Sequence, residues 1–136
     1  MQHVTKAVVH EAGSSKFDSA GETEGHSFVI DESEFMEGTD LGPTHFGVVA
    51  STLGAFTNMS LRMYADMKKF PFDEVYTEVT HTPSKDGYHF QRIITLTGNL
   101  TEEQRQRLLD IENKCPVHKP LVSGATVSSE LSGEAA

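Results

Sequence analysis

Hydrophobic and polar positions follow a period of two at both ends of this chain and lose it in the middle, and that change divides the molecule. Over residues 3–10, Val4, Lys6, Val8 and His10 share one face and His3, Thr5, Ala7 and Val9 the other, a β-branched pattern that predicts a first strand. Gly13-Ser14-Ser15 marks a turn. Residues 16–20 predict a short second strand broken by Gly21, and residues 25–31, with Phe28 and Ile30 on one face, a third. Connections this short predict an antiparallel meander. Residues 31–40 are acidic and turn-rich and read as a loop.

Between Asp40 and Arg62 no residue carries a formal charge at neutral pH, so this stretch is expected to be buried. Its small residues, Gly47, Ala50, Ser51, Gly54 and Ala55, allow other backbone to approach closely. Gly42-Pro43-Thr44 supplies an entry turn with Thr44 as candidate N-cap, which predicts a long central helix over residues 45–69. Arg62, Lys68 and Lys69 place cations toward its C-terminal end, where the helix dipole favours them, and Pro71 stops it. Phe46, Phe56, Met59 and Met63 recur with roughly helical spacing. Such periodicity reads first as core packing, and alternatively as the lining of an apolar pocket near Cys115.

The period of two returns in residues 72–82, where Asp73, Val75, Thr77, Val79 and His81 share a face. After a turn at residues 83–87 it continues in residues 88–98, with Phe90, Arg92, Ile94 and Leu96 together, completing a hairpin. Thr101 and Gln104 have capping-box spacing at the start of a second helix, whose apolar side carries Leu100, Leu108, Leu109 and Ile111. Cys115-Pro116-Val117-His118 reads as a short helical turn, residues 125–131 as a last strand, and residues 132–136 as a frayed tail. The predicted order is βββ-α-ββ-α-β. Elements grouped in this way predict a single α+β domain over residues 1–136, with antiparallel sheets around a long central helix.

Composition narrows the function. The 136 residues are 37% hydrophobic and 23% charged, with a formal net charge of −9. No basic cluster accompanies that excess of carboxylates, which argues against nucleic acid or an anionic membrane surface as partner. The N-terminal stretch has no signal-peptide core, and the uncharged run holds too many polar and small residues to span a membrane. With one cysteine there is no intrachain disulfide, and a cytoplasmic location is expected.

Cys115 is the first candidate for chemistry. Placed as the N-cap of a turn opened by Pro116, its thiolate would be stabilised by helix N–H groups, with His118 three residues on and able to share its face. The bland alternative is a small buried hydrophobe. Seven histidines raise the question of a metal, but no second close-spaced Cys/His pair completes a ligand set with Cys115 and His118, so neither metal nor cofactor is expected. No phosphate-binding loop is present.

Several motifs then combine. Gly42-Pro43-Thr44, Leu53-Gly54-Ala55 followed by Thr57, and Leu61-Arg62-Met63-Tyr64-Ala65 resemble the central-helix signature of the OsmC/Ohr family. The resemblance continues through Phe90-Gln91-Arg92-Ile93 and Gly98-Asn99-Leu100-Thr101. It is strongest in Gln104-Arg105, Arg107-Leu108-Leu109, Ile111 and Lys114-Cys115-Pro116-Val117-His118, and covers about residues 42–121. It implies an intertwined homodimer with sites at the subunit interface. It also implies a thiol peroxidase in which a central-helix cysteine attacks an organic hydroperoxide and a later cysteine resolves the sulfenic acid, assisted in one branch by an Arg and a Glu.

The residues depart from that pattern. Phe56 stands at the reactive-cysteine position, and Cys115 matches the resolving cysteine. His45 replaces the usual proline, the acidic position falls on Phe46 or Gly47, and no arginine precedes Arg62. A phenyl ring cannot attack an O–O bond. The leading expectation is therefore an OsmC-like homodimer without the two-cysteine cycle, with an apolar interface pocket formed from Phe56, Phe46, His45 and His118 for a small hydrophobic ligand. The enzymatic alternative is a single-cysteine peroxidase that reduces organic hydroperoxides through Cys115 with an external reductant. A third reading, a metal module of Cys115, His118 and a histidine of a second chain, is the weakest.

Overall fold

The structure is a computed structural model and describes residues 4–114 and 124–132. It is α+β, with two antiparallel sheets and two helices. Strands β1 (Ala7–Glu11), β2 (Ser19–Thr23) and β3 (His26–Ile30) form one sheet in that order. Helix α1 follows (His45–Lys68), then a hairpin of β4 (Glu74–Ser84) and β5 (Gly87–Thr97), then helix α2 (Glu102–Lys114). The chain divides into two compact units. One holds the residues up to Thr52 with Val79–Gln91, and the other holds Leu53–Glu78 with the residues from Arg92 onward.

In the first unit, β2 runs through Gly21 instead of ending before it. Gly21 pairs with Phe28, whose ring lies across it, so that a Cβ at Gly21 would fall 2.4 Å from Phe28 Cζ. The missing side chain makes room for the ring, and the glycine read as a strand breaker is part of the ladder. The segment after β3 is ordered by Asp31, which is fully buried. Its carboxylate accepts hydrogen bonds from the backbone N–H groups of Glu32 (2.8 Å), Thr39 (3.1 Å) and Leu41 (3.2 Å) and from the Ser15 hydroxyl (3.1 Å).

Desolvation by burial raises the Asp31 pKa, but these donors together outweigh it and hold it below the ordinary value. A lowered carboxylate pKa contributes stability that is complete above the unfolded value of about 3.9 and is lost as pH falls through the folded one. Urea denaturation between pH 5 and pH 3 is therefore expected to show stability falling less steeply in Asp31→Asn than in wild type. Parallel slopes for the two proteins would contradict this account.

Both helices begin as their sequences predict. Thr44 Oγ1 accepts from Gly47 N (3.1 Å), and Thr101 and Gln104 exchange both bonds of a capping box (2.9 and 3.1 Å). Helix α1 closes with Lys69 in the left-handed region (φ 57°) and Phe70 N donating to Ala65 O (2.9 Å), the bond that ends many helices one turn before a proline. Hydroxyls within α1 are satisfied by carbonyls four residues back: Ser51 to Gly47 O, Thr52 to Val48 O and Thr57 to Leu53 O.

The core of the second unit gathers Leu61, Ala65, Phe72 and Leu108, with Tyr64, Phe70, Val75, Ile94, Leu96 and Leu100 packed against them. Three sequence expectations change. Of the uncharged run, only Leu53, Gly54, Thr57, Ser60 and Leu61 are buried, while Phe46 and Met59 are exposed, as is Met63 just beyond it. The buried residues of α1 from Leu53 to Leu61 recur at spacings of three and four, so among the described residues burial follows one stripe of the helix. Strand β4 continues through Pro83 to Ser84, and the turn narrows to Lys85-Asp86, because a proline near a strand end costs few ladder bonds. Residues 125–131 are exposed and form no strand, since among the described residues no neighbouring strand pairs with them.

Candidate functional site

The first turn of α1 places two of the candidate residues in the first unit. His45 Nδ1 lies 2.7 Å from Glu32 Oε1, which brings a carboxylate to a helix start that has no acid of its own. Phe46 stacks on His81 of β4, with ring centroids 4.2 Å apart and planes 7° from parallel. Tyr88 and Phe90 of β5 surround the same imidazole at 5.6 and 5.0 Å. His81 Nε2 is buried and has no hydrogen-bond partner among the described residues. His45 and Phe46 thus turn to different partners, one a carboxylate and one an aromatic cluster.

Phe56 lies in the second unit, half-buried on α1 between exposed Ala55 and buried Thr57. Cys115 and His118 lie outside the described residues. Among the described residues no group of three or more His, Cys, Asp or Glu side chains is placed to hold a metal ion.

The structure adds a buried polar cluster that sequence reading missed. Strand alternation turns Arg92 inward with Phe90, Ile94 and Leu96, and a charge on that face needs a partner. Its Nη1 donates to Glu112 Oε1 (2.6 Å) and to Thr57 Oγ1 (2.9 Å). Glu112, one turn beyond Leu108 on α2, is fully buried, and its Oε2 accepts a very short hydrogen bond from Ser60 Oγ. Both carboxylate oxygens are occupied, so the group ties α2 to β5 and α1 within this unit. An arginine in the inward register of an alternating strand was the signal available. Glu112 was obscured because charged residues on helices are ordinarily solvated.

A cleft of about 210 Å³ lies in the same unit, floored by Leu61, Ile94, Leu96 and Leu109, with Glu102, Arg105 and Gln106 at its polar side. Arg105 also donates to Leu96 O (2.7 Å), which holds the start of α2 against the end of β5. Of the residues expected to form a pocket, the described ones, Phe56, Phe46 and His45, do not line this cleft. Among the described residues no helix is long and apolar enough to cross a membrane.

No family model and no curated protein matches the chain. Solved structures do. The OsmC like protein of Mycoplasma pneumoniae matches with a TM-score of 0.74 at 17% identity, over 90% of this chain and 89% of that one. The organic hydroperoxide resistance protein OsmC of Legionella pneumophila matches with a TM-score of 0.66 at 16% identity, over 89% of this chain and 90% of that one. The organic hydroperoxide resistance protein OhrB of Bacillus subtilis matches with a TM-score of 0.60 at 17% identity, over 86% and 89%. At these identities the likeness is one of backbone architecture, and on it the chain has the fold of the OsmC/Ohr proteins.

Proposed function

We propose that this chain is an OsmC/Ohr-type protein, one domain over residues 1–136, that works in the cytoplasm as a homodimer. It lacks the two-cysteine hydroperoxide cycle and keeps a scaffold able to take a small apolar ligand. The observation that carries this reading is Phe56, a half-buried aromatic ring on the central helix of a fold shared with organic hydroperoxide resistance proteins. A phenyl side chain offers no electron pair for attack on an O–O bond, and one cysteine per chain cannot close an intrasubunit disulfide. Met59, Met63 and Met67 supply support for the dimer, since they leave an apolar face of α1 open at spacings of four. The residues carried forward for ligand contact are Phe46, Phe56, His45 and His118, with Cys115 as the remaining thiol.

The test is steady-state reduction of cumene hydroperoxide by the purified protein with dithiothreitol, alongside sedimentation. The expected result is a species of twice 14.9 kDa with no turnover above the reductant alone, and no change in Cys115→Ser. Enzyme-scale turnover that Cys115→Ser abolishes would overturn the loss of the cycle. A 14.9 kDa species at micromolar concentration would overturn the dimer.

A further inference from the structure

Phe35 is 93% exposed, and Met36 beside it is also exposed. They sit on a 3-10 turn, Glu34–Met36, within the segment between β3 and α1. An aromatic ring in water is ordinary on a frayed tail, but this segment is tightly bonded. Met36 N and Gly38 N both donate to Ser33 O (3.0 and 2.9 Å), Glu37 N to Glu34 O (3.0 Å) and Asp40 N to Glu32 O (3.1 Å). Asp31 binds Thr39 N and Leu41 N from within, so both ends of the loop are anchored to one buried carboxylate. Glu37 and Asp40 adopt left-handed backbone conformations (φ 69° and 55°) that these bonds hold in place. A Cβ at Gly38 would lie 2.1 Å from Glu32 O, so the chain folds back on itself more closely than any other residue permits. The loop presents Phe35 already ordered, which removes most of the entropy that a flexible loop loses on binding.

The surroundings of the ring define what it fits. Between Asp31 and Asp40 there are five carboxylates and no cation. Residues 11–40 carry nine of the 20 acidic groups and a single lysine, leaving ten cations against eleven carboxylates elsewhere. Lys16, that lysine, lies 3.4 Å from Glu37 and is paired. Over the rest of the chain cations and carboxylates nearly balance, which favours a basic partner over a second copy as occupant. We propose that the 31–41 loop is a docking element, with Phe35 as its anchor, for a protein partner whose surface offers an apolar pocket rimmed by lysine or arginine. The aromatic ring supplies desolvation at the centre, and Glu34 and Glu37 supply orientation and salt-dependent attraction at the rim.

A synthetic amphipathic helix with leucines on one face flanked by lysines serves as probe, and its binding is followed by fluorescence anisotropy. Wild type is expected to bind, Phe35→Ser to bind about tenfold more weakly, and Glu34→Gln/Glu37→Gln to bind more weakly with a shallower salt dependence. Glu22→Gln/Glu24→Gln, which removes two exposed carboxylates outside the loop, is expected to leave affinity within about twofold, as for rim charges away from an anchor. So exposed a side chain is not needed for folding, and an unchanged thermal melt of Phe35→Ser confirms that the variant is intact. Three binding results overturn the proposal: no binding by wild type, equal binding by Phe35→Ser, or an equal loss in Glu22→Gln/Glu24→Gln, which marks general attraction to an acidic protein. A change of sedimentation state in Phe35→Ser also overturns it, by assigning the loop to contacts between copies of this chain.

Discussion

Glu112→Ala is expected to lose roughly 3–5 kcal/mol of folding stability, the cost typical of leaving one member of a buried ion pair without its partner. The substitution strips Arg92 of its carboxylate where only 15% of the arginine side chain meets solvent, and it removes one of the two acceptors of the Ser60 hydroxyl, the other being Thr57 O. Arg92→Met alone should cost a similar amount, because it takes the guanidinium away from a carboxyl group at zero exposure. The double variant Arg92→Met/Glu112→Leu should recover most of the loss, since no unpaired charge remains and the replacements fit an apolar interior. Urea denaturation of the four proteins gives the coupling directly, as the amount by which the single losses exceed the double. Single losses below about 1 kcal/mol, in the range of exposed pairs, would mean that water reaches the cluster and that it does not hold α2 in place.

Gly98→Ala is the second large effect. Gly98 joins β5 to the entry of α2 at φ 123°, a conformation that L side chains rarely adopt. A Cβ there would lie 2.5 Å from Pro71 O and 2.9 Å from Asp73 N, both backbone atoms with little freedom to retreat. The contact is fixed from the other side by Asp73 N donating to Thr97 O at 2.9 Å. Backbone strain of about 1–3 kcal/mol and a similar cost of overpacking put the expected loss near 2–5 kcal/mol. Gly13→Ala serves as reference, since Gly13 also has positive φ (82°) but nothing within 4 Å of its ideal Cβ. Its loss should be limited to the backbone part and be clearly smaller. Equal shifts in the urea midpoint at the two positions would show that close approach contributes nothing at Gly98.

Much of the architecture was legible where one segment carries its own instructions. The Gly42-Pro43-Thr44 entry, the Thr101–Gln104 capping box and the inward register of Val75, Val79, Ile94 and Leu96 are all local, and the structure reproduces each. The candidate site was less legible. His45 and Phe46 fall in the first turn of α1 as their sequence positions imply, yet their partners, Glu32 and His81, are 13 and 35 residues away. Nothing in the local pattern selects those partners from the other carboxylates and rings. Gly21 misled for a related reason: a glycine weakens a strand in isolation and admits a ring when Phe28 lies opposite.

Periodicity, capping residues and turn chemistry thus determined the helices, the hairpin and the α+β order, because each acts over a few residues through backbone sterics and hydrogen bonds. Tertiary packing alone decided three other matters. It brought Arg92 and Glu112, 20 residues apart, into one buried pair. It turned Met59 and Met63 outward from a helix that composition marked for burial. And it organised an acidic loop on the buried carboxylate of Asp31, so that Phe35 faces solvent. Each of these depends on which distant groups arrive to desolvate or satisfy a side chain. That is a property of the assembled chain, which short-range patterning does not contain.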